Sequence, residues 1–436
     1  MSSLPLAAAA GRAPAKSLTI SSVEEAIAHA EKHNPELREY GLRGEQANRR
    51  YEALRFHWLP DIYASGSLKI NPELPVTPVP GELFGQPGRT VDAQFGQTYN
   101  YQAGLRLSTT LLDLRTHFAA RAAGSASRGA AANAGAFGQR LREEVAVNYY
   151  TALATRALLR GQRSSEREAA TLVEIVEARL VQGVVDQIAL NCARMNENAV
   201  RQDVANYLDI LEQTLTNLRI LLGVPAGTTL TLTEELQTRE AALVGDALGP
   251  DLTLEVEEAY AVQTRFQWRE QRARWLPKLT LDAYLGGQHL RDDFGLSFGD
   301  GAWSGIQYLT LSLDIPLFTG LDRWNEVKAA EAERAYAEVA LARRRDESRA
   351  IDESLVKRRR IYWKQVTLTR VSHQLSRTNT KLTLQKYAQG VSGLEQYLSA
   401  REEQRGAEAA FLNALLSYYR LVSTYLSREG PHEFDS

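Results

Sequence analysis

His29 and His33 stand one helical turn apart in the segment His29-Ala30-Glu31-Lys32-His33, a spacing that lets two imidazoles reach one metal ion. Hydrolytic zinc helices also need a glutamate directly after the first histidine, as general base. Here that place holds Ala30, so the pair reads as the polar face of a helix. The remaining histidines are scattered. Cys192 is the single cysteine, which forbids intramolecular disulfides and any CxxC redox or zinc pair. There is no phosphate loop, dinucleotide fingerprint or GxSxG nucleophile elbow. The expectation is a protein that is not an enzyme and has no catalytic residues, metal or cofactor. With 51 basic and 53 acidic residues the charge is balanced, which gives no case for nucleic acid. No run approaches the ~20 apolar residues of a membrane-spanning helix, but β-barrel strands carry a far weaker signal and stay open.

With chemistry absent, organisation becomes the informative property. Asn34-Pro35-Glu36-Leu37 is echoed by Gly249-Pro250-Asp251-Leu252, Trp58-Leu59-Pro60 by Trp275-Leu276-Pro277, and Gln182-Gly183-Val184 by Gln389-Gly390-Val391. Gly223-Val224-Pro225 is loosely matched by Gly430-Pro431. The chain is two copies of a unit of roughly 215 residues. Each copy contains a proline-free stretch, Pro87 to Pro225 and Pro316 to Pro431, far longer than a globular helix needs.

Within a copy, Ser21 or Ser22 is placed to cap a first helix, with Glu24 and Glu25 at the positive end of its dipole. The helix pauses at Asn34-Pro35, and a second runs to about Trp58. Period-2 alternation follows over 62–70 and 99–111, and again from 278 and from 308. Its polar faces carry Lys69, Arg106, Asp282 and Asp314, charges suited to a water-filled lumen. Loops 71–98 and 288–305 are rich in Pro, Gly and Asp and read as exposed turns. Thr116 and Asp322 are the expected N-caps of two helices reaching Gln182 and Gln389, each roughly 100 Å long at about 1.5 Å per residue. Gly183 and Gly390 reverse the chain. The helices around these turns carry heptad-like stripes: Val204 to Leu222, Leu368-Val371-Leu375-Thr378-Leu382, and Phe411-Ala414-Tyr418-Leu421-Tyr425. Gly124, Gly129, Gly135 and Gly138 form either a tolerated low-complexity patch or a site of close helix packing.

The expected domains are a disordered or leader remnant at 1–17, a first repeat at 18–223 and an inter-repeat segment at 224–248. A second repeat occupies 249–428, and a tail 429–436. The β-hairpins are expected at 61–111 and 278–316, the long helical hairpins at 116–222 and 322–427. The fold class is mainly α with a small β part. Residues 4–10 are too short and lack the basic flank of a secretory leader, so either the start is a trimmed or misassigned form or the chain is not exported. The rival is a soluble coiled-coil scaffold, which accounts for the helices but not for four alternating strands at equivalent points of both copies.

The doubled order of Asn-Pro-Glu-Leu, Trp-Leu-Pro and Gln-Gly-Val, with Pro316-Leu317-Phe318-Thr319-Gly320 at the strand-to-helix junction, resembles the TolC family of outer-membrane efflux proteins over residues 18 to about 427. That resemblance implies a homotrimer whose subunits each give four strands to one twelve-stranded transmembrane β-barrel, above a helical tunnel in the periplasm. It implies a passive conduit in a tripartite efflux or type I secretion system, with a periplasmic adaptor and an inner-membrane pump as partners. Gln182, Gly183, Val184, Gln389, Gly390 and Val391 match the tips where the family docks its adaptor. The family's acidic mouth residues fall at Gln396 and Ser399 here, with Glu395 adjacent and Asp186 on the other tip. A looser polar constriction is expected.

Overall fold

A computed structural model of the chain describes residues 17–85, 87–236, 248–296, 299 and 303–428. Residues 1–16 of the expected leader remnant, 237–247 of the inter-repeat segment and the Gly430-Pro431 echo lie outside the described residues. In the first copy, β1 (Ser17–Ile20), α1 (Val23–His33) and α2 (Pro35–Arg55) precede β2 (Asp61–Ile70). A short ribbon of β3 (Val76–Pro80) and β4 (Thr90–Gln94) follows, then β5 (Tyr99–Leu112), α3 (Leu114–Val181) and α4 (Gln187–Leu221). After β6 (Thr229–Leu232), the second copy runs α5 (Thr253–Ala273), β7 (Lys278–Arg291), β8 (Ser304–Asp314), α6 (Asp322–Ala388) and α7 (Leu394–Arg428). By Cα packing the chain divides into two units, one of residues 1–44, 129–257 and 340–436, the other of 45–128 and 258–339.

Several boundaries differ from expectation for local reasons. Thr116 does not cap α3; the cap is Asp113, whose Oδ1 accepts from the backbone N–H groups of Arg115 (2.9 Å) and Thr116 (3.3 Å). Asp322 is the first residue inside α6 rather than its cap, since the Asn325 N–H already bonds the Leu321 carbonyl. α2 stops at Arg55 instead of Trp58, and Phe56–Leu59 close a turn in which the Leu59 N–H reaches the Phe56 carbonyl. The expected loop 71–98 contains the antiparallel ribbon Val76↔Gln94 to Pro80↔Thr90, a two-stranded edge structure that tolerates Pro78 and Pro80. β7 reaches Arg291, which shortens the second loop.

In the first unit, the core gathers Ile20, Val23, Ala26 and Ala30 against Leu141, Val145, Tyr149 and Leu153, with Leu218 and Leu222 of α4 and its end. β1 lies parallel to β6, Ser17 opposite Thr229. Ser22 caps α1 by accepting from Glu25 N–H, and Glu25 reaches back to Ser21 N–H at 2.7 Å. The proline echoes acquire a physical meaning here. Asn34 is buried between α1 and α2, where its Oδ1 accepts from Leu37 N–H and its Nδ2 donates to the Leu221 carbonyl, both at 2.9 Å. The break therefore seats on the C-terminus of the returning helix. The second copy does the same with different atoms, because Gly249 lies so close to the Arg428 carbonyl that a Cβ would overlap it. Asp251 then takes Thr253 (2.6 Å), Ser348 (3.0 Å) and Arg344 (3.3 Å). Burial raises the Asp251 carboxyl, but these donors outweigh it and hold the group below the usual carboxylate range.

Asn34→Ala is expected to cost about 2 kcal/mol, since it removes a cap and strands a buried carbonyl. Asn34→Ser keeps the acceptor and is expected to lose roughly half as much. A urea midpoint shift at constant m measures both, and equal losses would show that only the Leu221 bond matters.

The α-helical stripes separate in the structure. Tyr418, Leu421 and Tyr425 of α7 are buried, whereas Leu368, Val371, Leu375 and Leu382 of α6 are exposed within the chain. Leu208 on the α4 stripe is also exposed, although Leu218 and Leu222 are fully buried. Among the helical glycines, Gly124 lies where a Cβ would press on the Tyr51 ring at 3.1 Å, which favours close packing at that point.

The second unit holds an antiparallel four-stranded sheet in the order β2-β5-β7-β8. Its register places Ile62, Leu68, Leu105, Leu107, Leu281, Leu285, Leu309, Leu311 and Leu313 on one face. Most of that face is exposed, with Leu309 at 71 %. Gly104 and Gly286 meet across β5 and β7 on the opposite face, where a Cβ on Gly104 would stand 2.6 Å from the Gly286 Cα. The Tyr284 side chain covers the gap and stacks on Tyr308 at 5.5 Å.

Candidate functional site

The two hairpin tips are built alike from sequence upward. Each long helix ends on a glycine in the left-handed region, Gly183 at φ 68° and Gly390 at φ 77°. Gly183 N–H bonds the Leu180 carbonyl and Val184 N–H that of Arg179; Gly390 and Val391 repeat this with Tyr387 and Lys386. These paired bonds satisfy carbonyls that the helix end would otherwise orphan. A Cβ at Gly183 meets open space, so its glycine is required by backbone conformation and not by crowding. Val184 and Val391 project into solvent at 65 % and 73 % exposure, and Val181 and Ile188 are exposed beside them. Gln182 and Gln389 are exposed too.

Arg179 ties the tips together. Its Nη2 donates to the Tyr387 (2.6 Å) and Ala388 (3.1 Å) carbonyls, and its guanidinium lies 4.4 Å from the Tyr387 ring centroid. A cation is thus set on the negative end of α6, where it offsets the dipole and caps free carbonyls. Sequence reasoning missed this pair. An arginine in the last turn of α3 was visible, but its acceptors lie more than 200 positions away.

Of the four expected mouth residues, Asp186 has a local task. It is the N-cap of α4, and its Oδ1 accepts from Ala189 N–H at 2.9 Å. Glu395, Gln396 and Ser399 are exposed on the first turns of α7.

Strand register brings Lys69, Arg106, Asp282 and Asp314 to the same face of the sheet. Arg106 Nη2 stands 3.4 Å from Asp282 Oδ1, and Lys278 is the cross-strand partner of Asp314. Tyr63, Arg106, Tyr284 and Tyr308 form one cross-strand row on that face. His29 and His33, by contrast, stack at 4.3 Å, and the His33 Nδ1 contacts the His29 carbonyl at 3.0 Å. Burial, then the neighbouring His33, lowers the His29 pKa. Among the described residues, no group of three or more His, Cys, Asp or Glu side chains is placed to hold a metal.

The family model for outer membrane efflux proteins matches residues 26–224 and 243–423, taking in both copies and both tips. The chain belongs to the outer membrane efflux protein family. No curated protein matches it significantly. Solved structures agree in fold. The CmeC outer membrane channel of Campylobacter jejuni superimposes with a TM-score of 0.77 at 17% identity, covering 99% of this chain and 94% of that one. The outer membrane protein VceC of Vibrio cholerae gives 0.73 at 18% identity, over 93% and 95% of the two chains. The open-state MtrE outer membrane channel of Neisseria gonorrhoeae gives 0.70 at 20% identity, over 93% and 88%. This efflux protein is therefore a channel component of the outer membrane, mainly α with a small β part that contributes strands to a β-barrel. It extends from that membrane into the periplasm.

Proposed function

We propose that three copies of this efflux protein close a twelve-stranded barrel over a helical tunnel, forming the exit conduit of a tripartite system. The four-stranded sheet is the observation that carries the reading. Among the described residues β2 and β8 are open edges, and most of the leucine-rich face is uncovered. Unpaired strand edges are not tolerated in lipid, so the edges must pair with other copies. The same closure turns Lys69, Arg106, Asp282 and Asp314 toward a wet lumen and the leucines toward acyl chains. The exposed Leu368-to-Leu382 stripe of α6 supports assembly as well, because soluble helices rarely leave such stripes in water.

The tips, Gln182-Gly183-Val184 and Gln389-Gly390-Val391, dock a periplasmic adaptor that joins the conduit to an inner-membrane pump. Glu395, Gln396 and Ser399 make a polar constriction at the mouth, with Asp186 held to its cap. Loop 71–98 faces the cell exterior.

Membrane fractionation, detergent extraction and light scattering test the assembly, with a trimer expected in the outer-membrane fraction. A monodisperse monomer in the soluble fraction would end the proposal. After Cys192→Ser, a cysteine at exposed Leu83 is expected to react with an impermeant maleimide on intact cells. Labelling only after outer-membrane disruption would reverse the orientation.

A further inference from the structure

A polar seam is buried between α3 and α7, beginning ten residues past Val391 of the second tip. Arg401, Gln404 and Glu408 face it from α7, Gln162 and Ser165 from α3, and all five are at most 5 % exposed. Arg401 donates to Ser165 Oγ (3.1 Å) and to Gln162 Oε1 (3.0 Å). Gln162 Nε2 in turn donates to Glu408 Oε2 at 2.9 Å. The Gln162 amide is therefore fixed in one orientation, since a flip would set donor against donor at Arg401.

Among the described residues the seam leaves two buried polar atoms unpartnered, the donor Arg401 Nε and the acceptor Gln404 Oε1. Gln404 precedes Glu408 by four residues, so the two side chains share a helix face. Both line a cavity of about 230 Å³ that also meets His373 and Arg377 of α6. An ionised Glu408 offers only acceptors and leaves Gln404 Oε1 unmatched; a protonated one supplies the missing donor. We infer that Glu408 is a proton-binding site: its carboxylic acid hydrogen-bonds Gln404 Oε1, keeps Oε2 as acceptor for Gln162, and tightens α3 against α7 when the surroundings acidify.

The charges facing Glu408 come from four helices. Arg401 lies two hydrogen bonds away through Gln162, and Arg377 is on α6. Arg160 of α3 is held by Glu235 at 2.7 Å. Asp203 of α4 is bound by Arg405 of α7 at 3.2 Å, and Tyr207 lies nearby on α4. His373 is kept toward its neutral form by burial and by Arg377. Burial outweighs the cations and pushes the Glu408 carboxyl up to about 7. A carboxyl whose proton is held more tightly folded than unfolded stabilises the fold fully below its unfolded pKa. That contribution is lost as pH rises through about 7. The expected direction is a tighter seam in acid and a looser one in mild alkali.

The test uses the full chain, purified in detergent as it assembles. In an infrared pH titration from about pH 5.5 to about pH 8.5, a protonated-carboxyl band is expected to vanish near neutrality in the parent and to be absent in Glu408→Gln. Hydrogen exchange over 155–166 and 400–411, corrected for intrinsic rates, is expected to be on the order of tenfold slower at the acid end in the parent. Glu408→Gln is expected to stay at the slow rate throughout. Gln404→Leu removes the acceptor and should move the protonated-carboxyl band to higher frequency, where an acid that donates no hydrogen bond absorbs. The inference is overturned by a parent that titrates no carboxyl near neutrality, or by Glu408→Gln keeping the parent's pH dependence. A Gln404→Leu band at the parent's frequency overturns it too, and does so even if Glu408→Gln does not fold.

Discussion

Tryptophan at Gly183 or Gly390 is expected to leave trimer at near-normal levels in the outer membrane while efflux falls steeply. At φ 68° and 77°, a residue with a Cβ costs about 1–2 kcal/mol, so each tip must rearrange to relieve it. The damage stays local, because a Cβ at Gly183 meets no neighbour and the fully buried Val176 and Leu172 of the hairpin core lie about two and three turns earlier. A docking surface that loses shape at its centre gives up about 2 kcal/mol, roughly 30-fold in adaptor affinity. Cross-linking to the adaptor and efflux of a dye are the measurements, with trimer yield as control. Variants that assemble, cross-link and transport like the parent would reduce both glycines to chain terminators and remove the docking role.

Gly223→Ala is expected to produce the largest loss of stability, about 3 kcal/mol or more. Gly223 closes α4 with the same pair of bonds as the tips and sits at φ 67°. Its surroundings are the difference: a Cβ there would fall on the His33 carbonyl oxygen, where α1 ends. Alanine therefore has to push the α1–α2 junction off the end of α4, which breaks the Asn34 to Leu221 bond as well. Gly183→Ala pays only for its backbone conformation, about 1 kcal/mol, and serves as the matched comparison. Thermal unfolding followed by circular dichroism distinguishes them. Equal shifts would mean that the α1–α4 junction yields without cost.

Much of this molecule was legible because long helices and membrane strands write their rules in residue periodicity. A helix of 68 residues cannot contain an interior proline, and a two-faced strand must alternate. The proline gaps and the period-2 runs therefore located α3, α6 and the four sheet strands. Gly183 and Gly390 were equally plain, since the left-handed turn after a helix selects glycine whatever surrounds it. Capping was harder to read. Asp113 and Thr116 both suit an N-cap, and one turn of phase decided between them. The three stripes of α4, α6 and α7 look alike in sequence, yet α7 is buried and α6 is bare, because periodicity records that a face is apolar and not what covers it.

Tertiary structure alone decided which distant residues share a fate. Asn34 and Gly249 belong to echoing motifs, and only packing revealed that each abuts the end of a returning helix by a different device. Arg179 found its acceptors on the opposite tip, and Glu408 found Gln162 across the seam. The sequence by itself determined the long helices, the four strands of the larger sheet, their doubling and that sheet's polar face, since these follow from interactions a few residues long; the β1–β6 pair and the β3–β4 ribbon carried no such signal. Hydrogen-bond partners and buried charges depend on which surfaces meet, and the energy that selects those contacts is spread over hundreds of residues.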